Sequence, residues 1–66
     1  MAAIDRFEYF NESLPNREKQ ILEPLIHEQR HELLAARSED ARIRLVHEYI
    51  RQAHEILQFA SQKTRH

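Results

Sequence analysis

The apolar residues of this chain recur at steps of three and four along most of its length. Such steps place side chains on one face of a helix. In the first segment they join Ile4, Phe7, Phe10 and Leu14. Ser and Asn residues that favour helix ends follow, together with a proline that is tolerated only in a first helical turn. The pattern therefore predicts a short first helix over about residues 2–12 and a connection before residue 16.

A second helix is predicted over about residues 16–37. Pro24 is its irregular position, because proline lacks a backbone donor and disfavours the helical conformation of the residue before it. We expect a kink there, and the alternative is that the main helix begins at Pro24. Gln29 is a polar member of the inward stripe, whose apolar positions are Leu22, Leu25, Ile26, Leu33 and Ala36.

A third helix is predicted over about residues 39–62. Ser38 is a plausible N-cap, and the acidic Glu39 and Asp40 suit the positive end of a helix dipole. No glycine or proline marks the junction, so one continuous helix through Ser38 is the alternative to a hairpin. The apolar positions follow a heptad-like spacing: Ile43, Val46, Ile50, Ala53, Leu57 and Ala60.

The third helix is apolar over an unusually wide arc. Projection at 100° per residue gives an apolar arc of about 200°, whereas packing on one neighbour requires a stripe of about 100°. The second helix covers one part of this arc, the first helix covers another, and the remainder calls for a second chain. The predicted core and oligomer seam consists of Leu22, Ile26, Leu33, Ile43, Val46, Ile50, Ala53 and Leu57.

We therefore expect an all-α fold over residues 1–66, with a short N-terminal helix and a long antiparallel helical hairpin. Self-association of the hairpin would give a four-helix-type bundle. We also expect the chain to contact another protein through one apolar surface of the first helix and the outer flank of the third. The predicted contact residues are Ile4, Phe7, Phe10, Leu45, Tyr49, Ile56 and Phe59.

Composition narrows the range of functions. The 66 residues include no glycine, which argues against hairpin-rich β folds and against loops that cradle phosphate. They include no cysteine, which excludes disulfides and thiolate metal sites. The net charge is −1, and no segment is apolar and long enough for a signal peptide or a membrane span. We expect a cytoplasmic protein that is marginally stable as a lone monomer.

The stretch from His27 to His31 reads H-E-x-x-H. It resembles the motif of the zincin metalloproteases, in which two histidines bind zinc and the glutamate acts as general base. That resemblance would make His27 and His31 ligands and Glu28 the base. The helical projection instead places both histidines on the outer face of the second helix. We predict no metal or other cofactor and no enzyme activity, with a metal-binding protein as the alternative.

Glu28 and His31 also have the E-x-x-H spacing of ferritin-like carboxylate sites. In a hairpin that turns at Ser38, Glu48 falls level with Glu28. Those sites project into a bundle core, whereas Glu28 and Glu48 lie off the apolar arcs. We therefore interpret the spacing as ordinary surface chemistry.

The stretch "SLPNREKQIL" resembles the opening of helix-turn-helix modules in sigma-factor and LuxR-type regulators. The resemblance ends at Pro24, and no second recognition helix follows. The remaining basic residues form only a diffuse stripe: Arg42, Arg44 and Arg51, with Lys63, Arg65 and His66 in the tail. At a net charge of −1 there is little affinity to gain from counterion release, so nucleic acid is an unlikely partner.

The predicted function is protein–protein interaction through amphipathic helix faces, as a small adaptor, regulator or co-chaperone. In general design the chain resembles the small helical-hairpin co-chaperones of bacterial secretion systems. The expected partners are a second copy of the chain, as a homodimer, and another protein, with no membrane. A DNA-associated regulator is the third hypothesis.

Overall fold

The computed structural model describes residues 2–63, and these residues form three helices and no strand. Helix α1 spans Ala3–Glu12, α2 spans Asn16–Ala35 and α3 spans Glu39–Lys63. The all-α prediction is thereby confirmed. The observed ends of the helices differ from the ranges predicted from the sequence by no more than two residues, and the largest difference is at the end of α2.

Helix α2 ends two residues earlier than predicted because Ala36 leaves the helical conformation, with a ψ of 142°. The next helix is capped by Ser38, whose hydroxyl oxygen accepts the Ala41 amide hydrogen at 3.2 Å. The Arg42 side chain donates to the Ala36 carbonyl oxygen at 3.3 Å, which satisfies one backbone acceptor left at the break. These contacts fix a turn at residues 36–38, so the continuous-helix alternative is wrong.

Helix α2 continues through Pro24 as a single element. Proline removes one amide donor, so the carbonyl of Gln20 loses its helical partner. Both Gln20 and Pro24 are exposed, so water can bond this carbonyl. Because α2 already begins at Asn16, the alternative in which the main helix begins at Pro24 is wrong.

The three helices pack with alternating direction. Residues at the start of α2 (Arg17, Ile21) lie beside residues near the end of α3 (Leu57, Ser61), so α2 and α3 are antiparallel. Ala3 contacts Glu39 and Asn11 contacts Tyr49, so α1 runs parallel to the first half of α3. Helix α1 has only ten residues, whereas α3 has 25. It therefore reaches along part of the hairpin and leaves the rest uncovered.

The core lies where the three helices meet. Tyr49, Phe7, Leu22, Leu33 and Val46 are its largest buried side chains. Of the predicted seam, Leu22, Leu33, Val46 and Ala53 are buried, and Ile26, Ile50 and Leu57 are half-buried. Ile43 is 42% exposed, so it is not part of the core of a single chain, and its place in an oligomer seam stays a prediction. Ile43 lies beside Ala3 and Arg6, close to the N-terminal ends of both α1 and α3.

The molecule is elongated, with dimensions of 44 × 18 × 17 Å. Within residues 2–63, no helix combines the length and the apolar character that crossing a membrane requires.

Candidate interaction surface

Polar contacts along the length of α1 bind it to the other two helices. At its start, the Ala3 amide donates to the Glu39 carboxylate at 2.7 Å. At its middle, Arg30 donates to both carboxylate oxygens of Glu8, at 2.9 and 2.7 Å. The pKa of the Glu8 carboxyl is lowered mainly by the Arg30 hydrogen bonds. The pKa of the Glu39 carboxyl is lowered mainly by the Ala3 amide and then by Arg42.

The third polar contact of α1 is buried. The Tyr49 hydroxyl donates to the Asn11 Oδ1 atom at 2.5 Å, and both residues are buried. Burial raises the pKa of the Tyr49 phenol to about 12, because the charged phenolate would be poorly solvated. The Asn11 Nδ2 and Gln29 Oε1 atoms are buried without a hydrogen-bond partner. Among the described residues, the Tyr49 hydroxyl is therefore the hydrogen-bond partner of the Asn11 side chain.

Aromatic rings surround this hydrogen bond. The Phe7 ring lies 4.8 Å from the Tyr49 ring, and the Phe10 ring meets it edge-on at 5.8 Å. Phe10 also contacts the His54 ring at 5.8 Å. The Arg30 guanidinium lies 5.7 Å above the Phe7 ring, a geometry that favours a cation–π contact.

This packing corrects part of the predicted contact surface. Phe7 and Tyr49 are fully buried within one chain, and Ile4 and Phe10 are half-buried against the core. The apolar side of α1 is used inside the molecule, because α3 offers it a complementary aromatic surface. Helix α1 is therefore docked, and its apolar face is not available to a partner in this arrangement.

The rest of the predicted surface also lies on α3, in a stripe that we call the open face. We define it by Ala41, Leu45, Gln52, Ile56 and Phe59. At 100° per residue these positions span an arc of about 60°. Of the residues of α3 next to α1, Ile43, His47 and His54 lie roughly 140–180° from the centre of this arc, whereas Tyr49 lies about 50° from it. The contacts of α1 on α3 extend to Tyr49 and His54, and Ile56 and Phe59 come later along α3. Helix α1 therefore leaves Ile56 and Phe59 uncovered because it is too short to reach them.

The two ends of the open face differ in size and exposure. Near the end of α3, Phe59 is 60% exposed and Ile56 is 39% exposed. Near the turn, the side chains are small and border a shallow groove of about 610 Å³ between α2 and α3. We call it the alanine groove, and its lining residues are Glu32, Ala35, Ala36, Ala41, Arg44, Leu45 and Glu48.

The alanine groove was not predicted from the sequence. Ala35 and Ala41 were not among the predicted site residues, and Ala36 was predicted to lie in the core. The available signal was the run of small residues on both sides of Ser38. Its meaning depends on the turn at residues 36–38, which brings Ala35 and Ala41 to the same place.

The H-E-x-x-H residues are not brought together with further ligands. His27, Glu28 and His31 are all exposed on α2. Among the described residues, no group of three or more His, Cys, Asp or Glu side chains could hold a metal ion. The metal-binding hypothesis therefore has only the local spacing in its favour.

The arginines of α3 are partly occupied by carboxylates. Arg42 pairs with Glu39 at 3.1 Å, and Arg51 pairs with Glu48 and, at 2.8 Å, with Glu55. These pairs reduce the positive potential that phosphate binding requires. Arg65 and His66, which belonged to the predicted basic stripe, lie outside the described residues.

Comparisons of the chain with protein-family models, with curated proteins and with solved structures gave no match. The open face and the alanine groove are therefore the features of the described residues from which a function can be argued.

Proposed function

We propose that this chain is a small protein–protein interaction module, of the adaptor, regulator or co-chaperone kind, that acts as a homo-oligomer through its open face. The observation that carries the proposal is the exposure of Ile56 and Phe59 on a part of α3 that α1 does not reach. Large apolar side chains that remain exposed together mark interaction sites more often than isolated ones do.

The spacing of the open face suits helix recognition. Leu45, Gln52, Ile56 and Phe59 follow steps of seven, four and three. Helix-in-groove contacts use anchors at such spacing, and aromatic anchors tend to contribute the most binding energy. Phe59 is the aromatic anchor of this face, and Leu45 lies half-buried at the border of the alanine groove.

Site-specific photo-crosslinking in cells of the source organism tests the proposal. A photo-reactive side chain replaces Gln52, which lies on the open face, and in a matched control it replaces Tyr9, which is 68% exposed on α1. We expect protein adducts from position 52 and none from position 9. Absence of any adduct at position 52, with the protein folded and present, would contradict the proposal.

A further inference from the structure

We propose that the open face binds a second copy of this chain in an antiparallel orientation. In this dimer, Ile56 and Phe59 of each copy enter the alanine groove of the other. The inference rests on the proposed function and adds the orientation of the second copy and the residues that meet. It also assigns different roles to the two ends of one surface.

Shape supports the antiparallel orientation. Ala41 and Phe59 are 18 positions apart on α3, or about 27 Å at 1.5 Å per residue. The bulky end and the small end therefore lie far apart on the same face. A two-fold axis near Gln52 places the bulky end of each copy over the alanine groove of the other copy. The same contact then forms twice, and the result is a closed dimer. A dimer with its turns together would instead set alanines against alanines.

The exposed area fits an interface of ordinary size. The chain exposes 5199 Å², whereas a compact monomer of 8.0 kDa is expected to expose about 4450 Å². The excess is roughly 750 Å², and a standard interface buries about 800 Å² on each partner. A second copy on the open face would bring the exposed area per chain close to the value for a compact protein.

The charged residues around the open face predict which substitutions tighten the dimer and which weaken it. Antiparallel docking brings Arg44, which lines the alanine groove, towards Glu55 of the other copy, which also pairs with Arg51 of its own chain. The contact between Arg44 and Glu55 is attractive. Glu28 is the opposing case, because it lies on α2 close to the two-fold axis and faces its own counterpart. Glu28→Gln should therefore tighten the dimer, whereas Arg44→Glu should weaken it.

Analytical ultracentrifugation of purified variants tests the contact. Phe59→Ser should raise the dimer Kd at least tenfold, and Leu34→Ser should change it less than twofold, because Leu34 is 74% exposed outside the alanine groove. Ala35→Leu should also weaken the dimer, since it fills the groove without removing any apolar surface. Tighter association of Ala35→Leu would overturn the inference, because general apolar adhesion would explain the contact. Circular dichroism checks that each variant is folded.

Introduced cysteines test the orientation, because the chain itself contains none. With a short bis-maleimide linker, Gln52→Cys should cross-link to its own copy. Ala41→Cys should cross-link efficiently to Gln62→Cys when the two variants are mixed, and poorly to itself. Efficient self-linkage of Ala41→Cys would instead show a dimer with its turns together.

The failure of this inference can be separated from failure of the proposed function. A chain that sediments as a monomer, yet gives adducts of another mass at position 52 in cells, would refute the second-copy contact and the homo-oligomeric part of the proposed function, and it would leave the protein–protein interaction module standing. A monomer without adducts would refute both.

Discussion

The buried hydrogen bond between Tyr49 and Asn11 offers a sharp test of how α1 is held. Tyr49→Phe keeps the ring, its contact with Phe7 and almost all of its volume, and removes only the hydroxyl. The Asn11 Oδ1 atom then loses its partner, and its Nδ2 atom already lacks one. Both ends of a buried amide would be unpaired.

The size of the effect follows from this geometry. A net hydrogen bond contributes about 1 kcal/mol, and a buried polar group left without its partner costs about 1–3 kcal/mol. We therefore expect Tyr49→Phe to lower the free energy of unfolding by about 1–3 kcal/mol. For a domain of this size, each kcal/mol lowers Tm by about 4–8 °C.

Two further variants complete the thermodynamic cycle. Asn11→Leu alone should also destabilise the chain, because the Tyr49 hydroxyl stays buried without its acceptor. The double variant Asn11→Leu with Tyr49→Phe should be more stable than the sum of the single effects predicts, since replacing both partners with apolar groups of similar shape can be nearly neutral. Tyr9→Phe is the matched control. Tyr9 is 68% exposed, so its effect should stay within about 0.5 kcal/mol.

Urea unfolding followed by circular dichroism measures all four variants. The reasoning would be refuted if Tyr49→Phe were within about 0.5 kcal/mol of the parent chain, the range expected for surface changes. It would also be refuted if the double variant were no more stable than additivity predicts. Either result would mean that the hydroxyl and the amide are not coupled in solution.

Three other outcomes follow from the same contacts. The pKa of Tyr49 is raised from 10.0 to about 12 in the folded chain. The contribution of the neutral phenol to the free energy of unfolding is therefore present below pH 10 and is lost as the pH rises towards 12. Tyr49→Phe should remove this loss of stability in alkaline unfolding experiments. The pKa values of Glu8 and Glu39 are lowered from 4.5, so the contribution of the two carboxylates to the free energy of unfolding is present above pH 4.5 and is lost below it. In the double variant Glu8→Gln with Glu39→Gln, the free energy of unfolding should fall less steeply as the pH is lowered below 4.5. His27→Ala with His31→Ala should change stability by no more than about 0.5 kcal/mol, and zinc should leave Tm unchanged; a bound equivalent of zinc that the double variant loses would contradict this.

The helices were predictable because their signals are local. Apolar steps of three and four, Ser38 as an N-cap and the proline at residue 15 each act over a few residues. The turn at residues 36–38 was harder to predict, since no glycine or proline marks it. It is stabilised partly by Arg42 bonding back to the Ala36 carbonyl, six residues away.

The open face was predictable only in part, because periodicity shows that a helix has two contact surfaces but not which neighbour takes each. Phe7 and Tyr49 have the same apolar character as Ile56 and Phe59, so sequence reasoning grouped them together. The structure separates them by their position along α3. Helix α1 has only ten residues and covers α3 as far as Tyr49 and His54, so Ile56 and Phe59 lie beyond its reach.

The polar contacts of α1 help to determine which side of α3 remains open. Apolar packing alone would tolerate α1 on either flank of the wide apolar arc, because apolar attraction has little directionality. The bond from Tyr49 to Asn11 and the pair of Glu8 with Arg30 hold α1 beside the first half of α3. Loss of these contacts would let α1 change its position on α3. The exposure of Ile56 and Phe59 is therefore a consequence of where the polar residues hold α1, and a change at Tyr49 should affect association as well as stability.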